Sequence, residues 1–97
     1  MKSPRVSPDE AEIIALKVLG FLATDPNRLS RFLALSGVEL NDLREAARSH
    51  EFLAGLLTHL LEDESLLLTF TAEHDLDPRL PALALAALGR GDGKSVV

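Results

Sequence analysis

The chain has 97 residues and no cysteine, tryptophan or tyrosine, and 21 leucines and 12 alanines dominate its apolar content. This length fits one domain, and the absence of cysteine excludes disulfides, thiolate metal sites and cysteine nucleophiles. The formal net charge of −5 has the wrong sign for a protein whose main ligand is nucleic acid. Because leucine and alanine favour helix over strand, the composition predicts an all-α fold, a compact bundle of five or six short helices.

The sequence shows no targeting segment. Asp9, Glu10 and Glu12 precede the first apolar stretch, and signal and transit peptides avoid such acidic residues. The longest uncharged apolar run, 80–89, is much shorter than the about 20 residues that a membrane-spanning helix needs. We therefore expect a cytoplasmic protein that does not bind membranes.

Helix-start signals recur along the chain and set the predicted boundaries. Ser7 and Glu10 are spaced as a capping box, in which the hydroxyl accepts a backbone N–H and the carboxylate reaches back. The other starts are single caps, two of them followed by proline: Asp25, Ser49, Asp63 and Asp77. Gly37 and Gly89 stand where the second and sixth helices should end.

These signals define the predicted organisation of the chain. A single helical domain spans 7–89, between a flexible N-terminal tail at 1–6 and a flexible C-terminal tail at 90–97. The sixth helix starts after Asp77, and Pro81 delays its regular part until about residue 80. The six predicted helices cover 8–23, 26–35, 40–48, 50–62, 64–74 and 78–88.

Apolar periodicity separates the fourth helix from the first and sixth. The fourth has one apolar stripe at three- and four-residue steps, which predicts a central place in the core: Phe52, Leu53, Leu56, Leu57, Leu60 and Leu61. The first and sixth helices carry apolar residues on opposing faces, although a domain of this size fully encloses roughly one helix. The surplus face therefore predicts contact with a second copy or another protein partner, through Ile13, Leu16, Gly20 and Leu85. The alternative is that these are scattered exposed apolar residues, which ordinary surfaces contain.

The segment 31–38 has the sequence Arg-Phe-Leu-Ala-Leu-Ser-Gly-Val, and Asp25-Pro26 before it and Phe52-Leu53 after it extend the pattern. Together they resemble a family of short, uncharacterised alphaproteobacterial proteins known only as a domain of unknown function. The resemblance covers residues 10–88. It implies a bacterial, cytoplasmic, single-domain helical protein, and it supplies no activity, cofactor or catalytic residue.

Nucleic-acid binding is the alternative function. The turn at Gly37, between two helices, is similar to half of a helix-hairpin-helix, whose backbone N–H groups bind phosphate. Four arginines flank this turn as a candidate basic patch: Arg28, Arg31, Arg44 and Arg48. Glu39 stands where the second glycine is expected, and neighbouring acids such as Asp42 and Glu45 offset the positive charge. Solvated helix faces with acid–base pairs explain the arginines more simply.

Catalytic and metal-binding motifs are weak. His59 and Asp63 are spaced to share one divalent metal, but Asp63 already has a role as a helix cap, and H-E-x-x-H is absent. No serine stands beside a histidine at helical spacing, so we expect no enzyme activity, no metal site and no cofactor.

The C-terminal segment resembles two known motifs only in part. The glycine-rich segment 89–95 misses the phosphate-loop spacing, because that motif needs a glycine at position 88, which is Leu88. The final Ser95-Val96-Val97 has the form of a peptide for C-terminal capture.

Overall fold

The computed structural model describes the backbone of residues 5–93 and the side chains of residues 5–89. Over this part, the chain forms six α-helices with short connections and no strand, which confirms the predicted all-α bundle. A 3-10 turn, Leu40–Asp42, leads directly into the third helix. The helices are α1 (Pro8–Ala23), α2 (Pro26–Ser36), α3 (Leu43–Ala46), α4 (His50–Leu61), α5 (Glu64–Glu73) and α6 (Leu80–Gly93).

The capping box at the start of α1 forms as predicted. The backbone N–H of Glu10 donates to Ser7 Oγ at 3.1 Å, and the backbone N–H of Ser7 donates to Glu10 Oε1 at 2.9 Å. The bond from the Ser7 backbone, supported by the hydroxyl, lowers the pKa of the Glu10 carboxyl below its ordinary value. The positive end of the helix dipole also favours this negative charge.

The other predicted caps are equally local. Asp25 accepts the N–H groups at the start of α2, Ser49 accepts the N–H of Phe52, and Asp63 accepts the N–H of Leu66. Each of these side chains satisfies a backbone donor that has no partner within its own helix. The predicted starts of α2, α4 and α5 are therefore confirmed, within one residue.

Two predicted elements differ in detail. The predicted helix 40–48 is a 3-10 turn followed by the single α-helical turn of α3, and neither Glu39 nor Asp42 makes a side-chain cap there. Gly37 ends α2 in the left-handed region, with φ of 76°, as predicted. Gly89, in contrast, continues the helix, and α6 extends to Gly93, four residues into the predicted C-terminal tail.

The core lies between α1, α4 and α6, which pack against one another more extensively than the other helices do. Two edge-to-face pairs add to it, Phe21 with Phe70 and Phe32 with Phe52, with ring centroids 5.4 and 5.5 Å apart. Phenylalanine rings prefer this geometry because the positive edge of one meets the negative face of the other. Val6, assigned above to the N-terminal tail, is buried as part of the same core.

The apolar character of α6 is used mainly inside the molecule. Pro81, Ala84, Ala87 and Leu88 are buried, and α6 packs against both α1 and α4. No helix of the described chain has the length and hydropathy needed to cross a membrane. The remaining parts of the two predicted tails, 1–4 and 94–97, lie outside the described residues and include the C-terminal peptide motif.

Candidate functional site

The outward face of α1 carries an exposed apolar stripe. Ile13 is 54% exposed and Leu16 is 45% exposed, and Gly20 completes the stripe at the next helical turn. These residues are three and four positions apart, so they share one face of the helix. The opposite face is formed by residues that are buried against α4 and α6: Ala11, Ile14, Ala15, Val18 and Leu22.

A shallow apolar groove adjoins this stripe. Leu19, one helical turn after Leu16, lines it from α1, and Leu40 and Leu43 line it from the 3-10 turn and α3. The groove has a volume of about 670 Å³, and Leu40 at its rim is 62% exposed. We call the stripe and the groove together the α1 face. Its polar residues are Lys17, which is exposed on the same side of α1, and Asn41 and Arg44, which also line the groove.

Gly20 has no internal packing role. A Cβ placed on it meets no described heavy atom within 4 Å. Glycine within a helix costs about 1 kcal/mol relative to alanine, because it loses more conformational freedom on folding. The glycine therefore leaves a gap on the α1 face that the fold itself does not require.

Leu85 differs from the other three predicted interface residues. It is partly buried on α6 and packs against the core. The structure therefore places Ile13, Leu16 and Gly20 on one exposed surface, whereas Leu85 has a smaller exposed area.

A second, polar groove lies between α2, α4 and α5. It has a volume of about 310 Å³, and we call it the arginine groove. Its lining combines residues that are far apart in the sequence: Asn27, Arg28 and Arg31 from α2, His59 from α4, the cap Asp63, and Ser65, Leu66 and Thr69 from α5.

Aromatic contacts hold two side chains of the arginine groove. The Arg28 guanidinium carbon lies 5.1 Å from the centroid of the Phe21 ring, and Arg28 Nε lies 3.7 Å from Asp25 Oδ2. The His59 ring meets the Phe32 ring edge-on, with centroids 5.2 Å apart. These contacts therefore restrict the positions of the Arg28 guanidinium and the His59 imidazole in the groove.

The four arginines of the predicted basic patch do not share a groove. Arg28 and Arg31 line the arginine groove, whereas Arg44 lines the apolar groove beside Leu43. Arg48 is exposed and lies 3.7 Å from Glu45, as its spacing predicts.

The turn at Gly37 uses its own backbone donors. The N–H of Gly37 donates to the Leu33 carbonyl at 2.9 Å, and the N–H of Val38 donates to Ser36 Oγ at 3.3 Å. A helix-hairpin-helix turn binds phosphate with such N–H groups, and here both are already satisfied within the chain. These two donors of the turn are therefore not available to a phosphate group.

His59 and Asp63 meet in the arginine groove, but they gain no third ligand. Among the described residues, no group of three or more histidine, cysteine, aspartate or glutamate side chains is placed to hold a metal ion. Asp63 Oδ1 accepts the N–H of Leu66 at 3.1 Å, so the carboxylate serves as the cap of α5. Ser65 also lines this groove, yet no hydrogen bond joins the side chains of Ser65, His59 and Asp63 in the described structure.

One interhelical contact has no signal in the sequence. His50 Nε2 and Glu12 Oε2 are 2.6 Å apart, which links the first turn of α4 to α1. The two residues are 38 positions apart, and neither periodicity nor capping rules relate them. Likewise, no sequence rule relates Arg31 on α2 to the α5 residues that line the same groove.

The described residues form a small all-α protein with an exposed α1 face and a separate groove lined by Arg28 and Arg31. The family model of DUF3572, described as a protein of unknown function, matches residues 8–91, and the chain belongs to this family. No curated protein and no solved structure matches the chain significantly.

Proposed function

We propose that this protein is a non-enzymatic interaction module that self-associates through the α1 face. The observation that carries the proposal is the exposed stripe, in which Ile13 and Leu16 are about half exposed on a helix whose other side is buried. Removing such a surface from water is favourable, at about 25 cal/mol for each Å² of apolar area. A second copy of the chain offers the same surface in return.

The pattern of α1 supports a second copy as the occupant. A two-fold axis gives both subunits the same contact surface, so the surface must be complementary to itself. In an antiparallel pair of α1 helices with this axis between Leu16 and Lys17, Ile13 of each copy lies opposite Gly20 of the other. A large side chain then meets a gap on each side of the axis, and the open space at Gly20 has a use.

A binding role also agrees with the chemistry of the grooves. Ser65 and His59 line the same groove, but a serine nucleophile needs a hydrogen-bonded base, and the described side chains make no such bond. Asp63 is held as a helix cap. The arrangement supports recognition rather than covalent catalysis.

Light scattering coupled to size exclusion tests the proposal, with refractive index as the concentration signal because the chain lacks tryptophan and tyrosine. We expect the mass of the wild-type protein to rise with concentration from 10.5 kDa towards twice that value. Leu16→Lys should keep it at a single chain, because the new ammonium group lies opposite Lys17 of the other copy and the two positive charges repel. The matched control is Leu68→Lys on α5, where the leucine is 48% exposed, against 45% for Leu16.

Two outcomes would contradict self-association. One is a single-chain mass at every concentration, and the other is equal dissociation by Leu16→Lys and Leu68→Lys. The second outcome would mean that the added charge, rather than the α1 face, controls the mass.

Nucleic-acid binding is a second candidate, which the pairing of Arg28 and Arg31 in one groove favours. The satisfied N–H groups at Gly37 and the net charge of −5 oppose it. A mobility shift of a short duplex that weakens with salt and is lost with Arg28→Gln and Arg31→Gln together would support it. A shift unaffected by salt, or none at all, would dispose of it.

A further inference from the structure

The arginine groove is rich in hydrogen-bond donors that have no partner within the described chain. Arg31 is exposed and makes no ion pair or hydrogen bond with any described residue. Arg28 has its nearest carboxylate oxygen at 3.7 Å, beyond hydrogen-bond distance, so its guanidinium donors also remain available. The His59 ring nitrogens and the Ser65 hydroxyl make no hydrogen bond to the described residues either.

The charges in this groove differ from those of the whole chain. Two guanidinium groups and one carboxylate, Asp63, line the groove, and Asp63 accepts the Leu66 N–H; Asp25, whose carboxylate lies 3.7 Å from Arg28, is outside the lining. The net charge of the lining is therefore positive in a chain whose formal net charge is −5. A site with unused donors and a local positive charge is complementary to an oxyanion.

We propose that the arginine groove binds a phosphate monoester. A monoester carries about −1.5 to −2 charges at neutral pH and has three terminal oxygens, which match two guanidiniums and an imidazole. A phosphodiester in a nucleic acid offers a single charge, and the acidic chain repels the rest of the polymer. The volume of about 310 Å³ also leaves room beside the phosphate for a small organic group against Leu66.

The groove holds its donors in place before a ligand arrives. The Phe21 ring and the Asp25 carboxylate contact Arg28, and the Phe32 ring contacts the His59 ring. Fixed side chains lose less conformational entropy on binding, so more of the interaction energy appears as affinity. Arg31 has no such contact, so ordering its side chain carries a larger entropy cost on binding.

Backbone amide shifts in NMR test the proposal. O-phosphoserine and a short peptide with one phosphoserine are titrated at constant ionic strength, with serine and the unphosphorylated peptide as blanks. We expect saturable shifts centred on Arg31, His59 and Ser65. Equal affinity for both probes would indicate a free phosphorylated metabolite, and tighter binding of the peptide would indicate a phosphorylated protein partner; either supports the proposal.

Arg31→Gln is the decisive variant, because its exposed side chain is not needed for folding. It should raise the Kd for O-phosphoserine about tenfold, the loss expected for one charge-assisted contact. The control Arg48→Gln removes an exposed arginine outside the groove and should change the Kd less than about twofold.

Three results would overturn the inference. They are shifts that fail to saturate, equal effects of Arg31→Gln and Arg48→Gln, and displacement of O-phosphoserine by a short duplex that binds more tightly. The inference does not depend on self-association, since Leu16 and Ile13 do not line the groove.

Discussion

At the scale of single residues, Asp77 and Arg79 form the charge pair with the most side-chain hydrogen bonds in the described chain. Arg79 Nη2 donates to Asp77 Oδ2 at 2.7 Å, and the Arg79 backbone N–H donates to Asp77 Oδ1 at 2.8 Å. The side-chain hydrogen bonds from Arg79, followed by the backbone one, lower the pKa of Asp77 from 3.8 to about 2. Because the Asp77 carbonyl also accepts the Leu80 N–H at 2.9 Å, this pair orders the entry to α6.

The lowered pKa of Asp77 predicts a loss of stability in acid. A carboxylate with a lower pKa in the folded state contributes stability above its unfolded pKa of 3.8, and the contribution disappears as the pH falls through about 2. Asp77→Asn should therefore lower the urea midpoint at neutral pH and have little effect at a pH of about 2. Circular dichroism at both pH values measures the difference.

Arg79→Gln provides the control for the pair. It should lower the urea midpoint at neutral pH by about as much as Asp77→Asn does. The double variant should lower the midpoint little further than either single variant, because both remove the same interaction. An Asp77→Asn effect of equal size at both pH values would show that the carboxylate charge is not the cause.

At the scale of elements, α4 connects the bundle. It packs against α1, α2, α5 and α6, and its predicted apolar stripe is buried except for Leu61, which is partly buried. Leu56, Leu57 and Leu60 are completely enclosed. Since protein interiors are close-packed, removing methyl groups from this stripe leaves a cavity that neighbouring helices fill only in part.

Leu56→Ala should lower the free energy of unfolding by about 2–5 kcal/mol, from lost burial and the remaining cavity. Leu35→Ala on α2 is the control, because that leucine is 73% exposed and its loss should change stability by less than about 0.5 kcal/mol. Urea unfolding followed by far-ultraviolet circular dichroism measures both. A loss for Leu56→Ala as small as that for Leu35→Ala would mean that the packing around α4 is looser than the structure shows.

The helix boundaries were largely predictable because their causes are local. Ser7, Ser49 and Asp63 each bond to an N–H three residues away, so the sequence alone contains both partners. The errors occur where local signals are weak: the start of α3 has no side-chain cap, and Gly89 stops a helix only when it adopts the left-handed conformation.

The surfaces were predictable only in part. The exposed stripe of α1 follows from periodicity, because Ile13 and Leu16 lie opposite a buried face of the same helix. The arginine groove does not, because it depends on how α2 is placed against α5, and no repeat or spacing relates Arg31 to Thr69. Tertiary packing sets that placement, and its signal is spread over the whole core.

At the scale of the whole molecule, the shape leaves one side of α1 without a covering layer. The principal-axis extents are 38, 34 and 18 Å, so the molecule is flat and about two helix layers thick. In such a body, α1 covers the core with one face and forms the surface with the other. The outer side of α1 therefore has no layer above it, and a second copy packed on the α1 face would add one.

Gly20→Ala separates folding from association in one variant. The new Cβ meets no described atom, so the single chain should become more stable by about 1 kcal/mol and melt about 4–8 °C higher. The same Cβ fills the gap opposite Ile13 of the second copy, so the dissociation constant of the dimer should rise. Gly55→Ala on α4 is the control, since it also has open space and should raise stability without changing the mass. Melting in dilute solution and light scattering at high concentration measure the two effects; a more stable Gly20→Ala protein with unchanged association would place the contact elsewhere than Gly20.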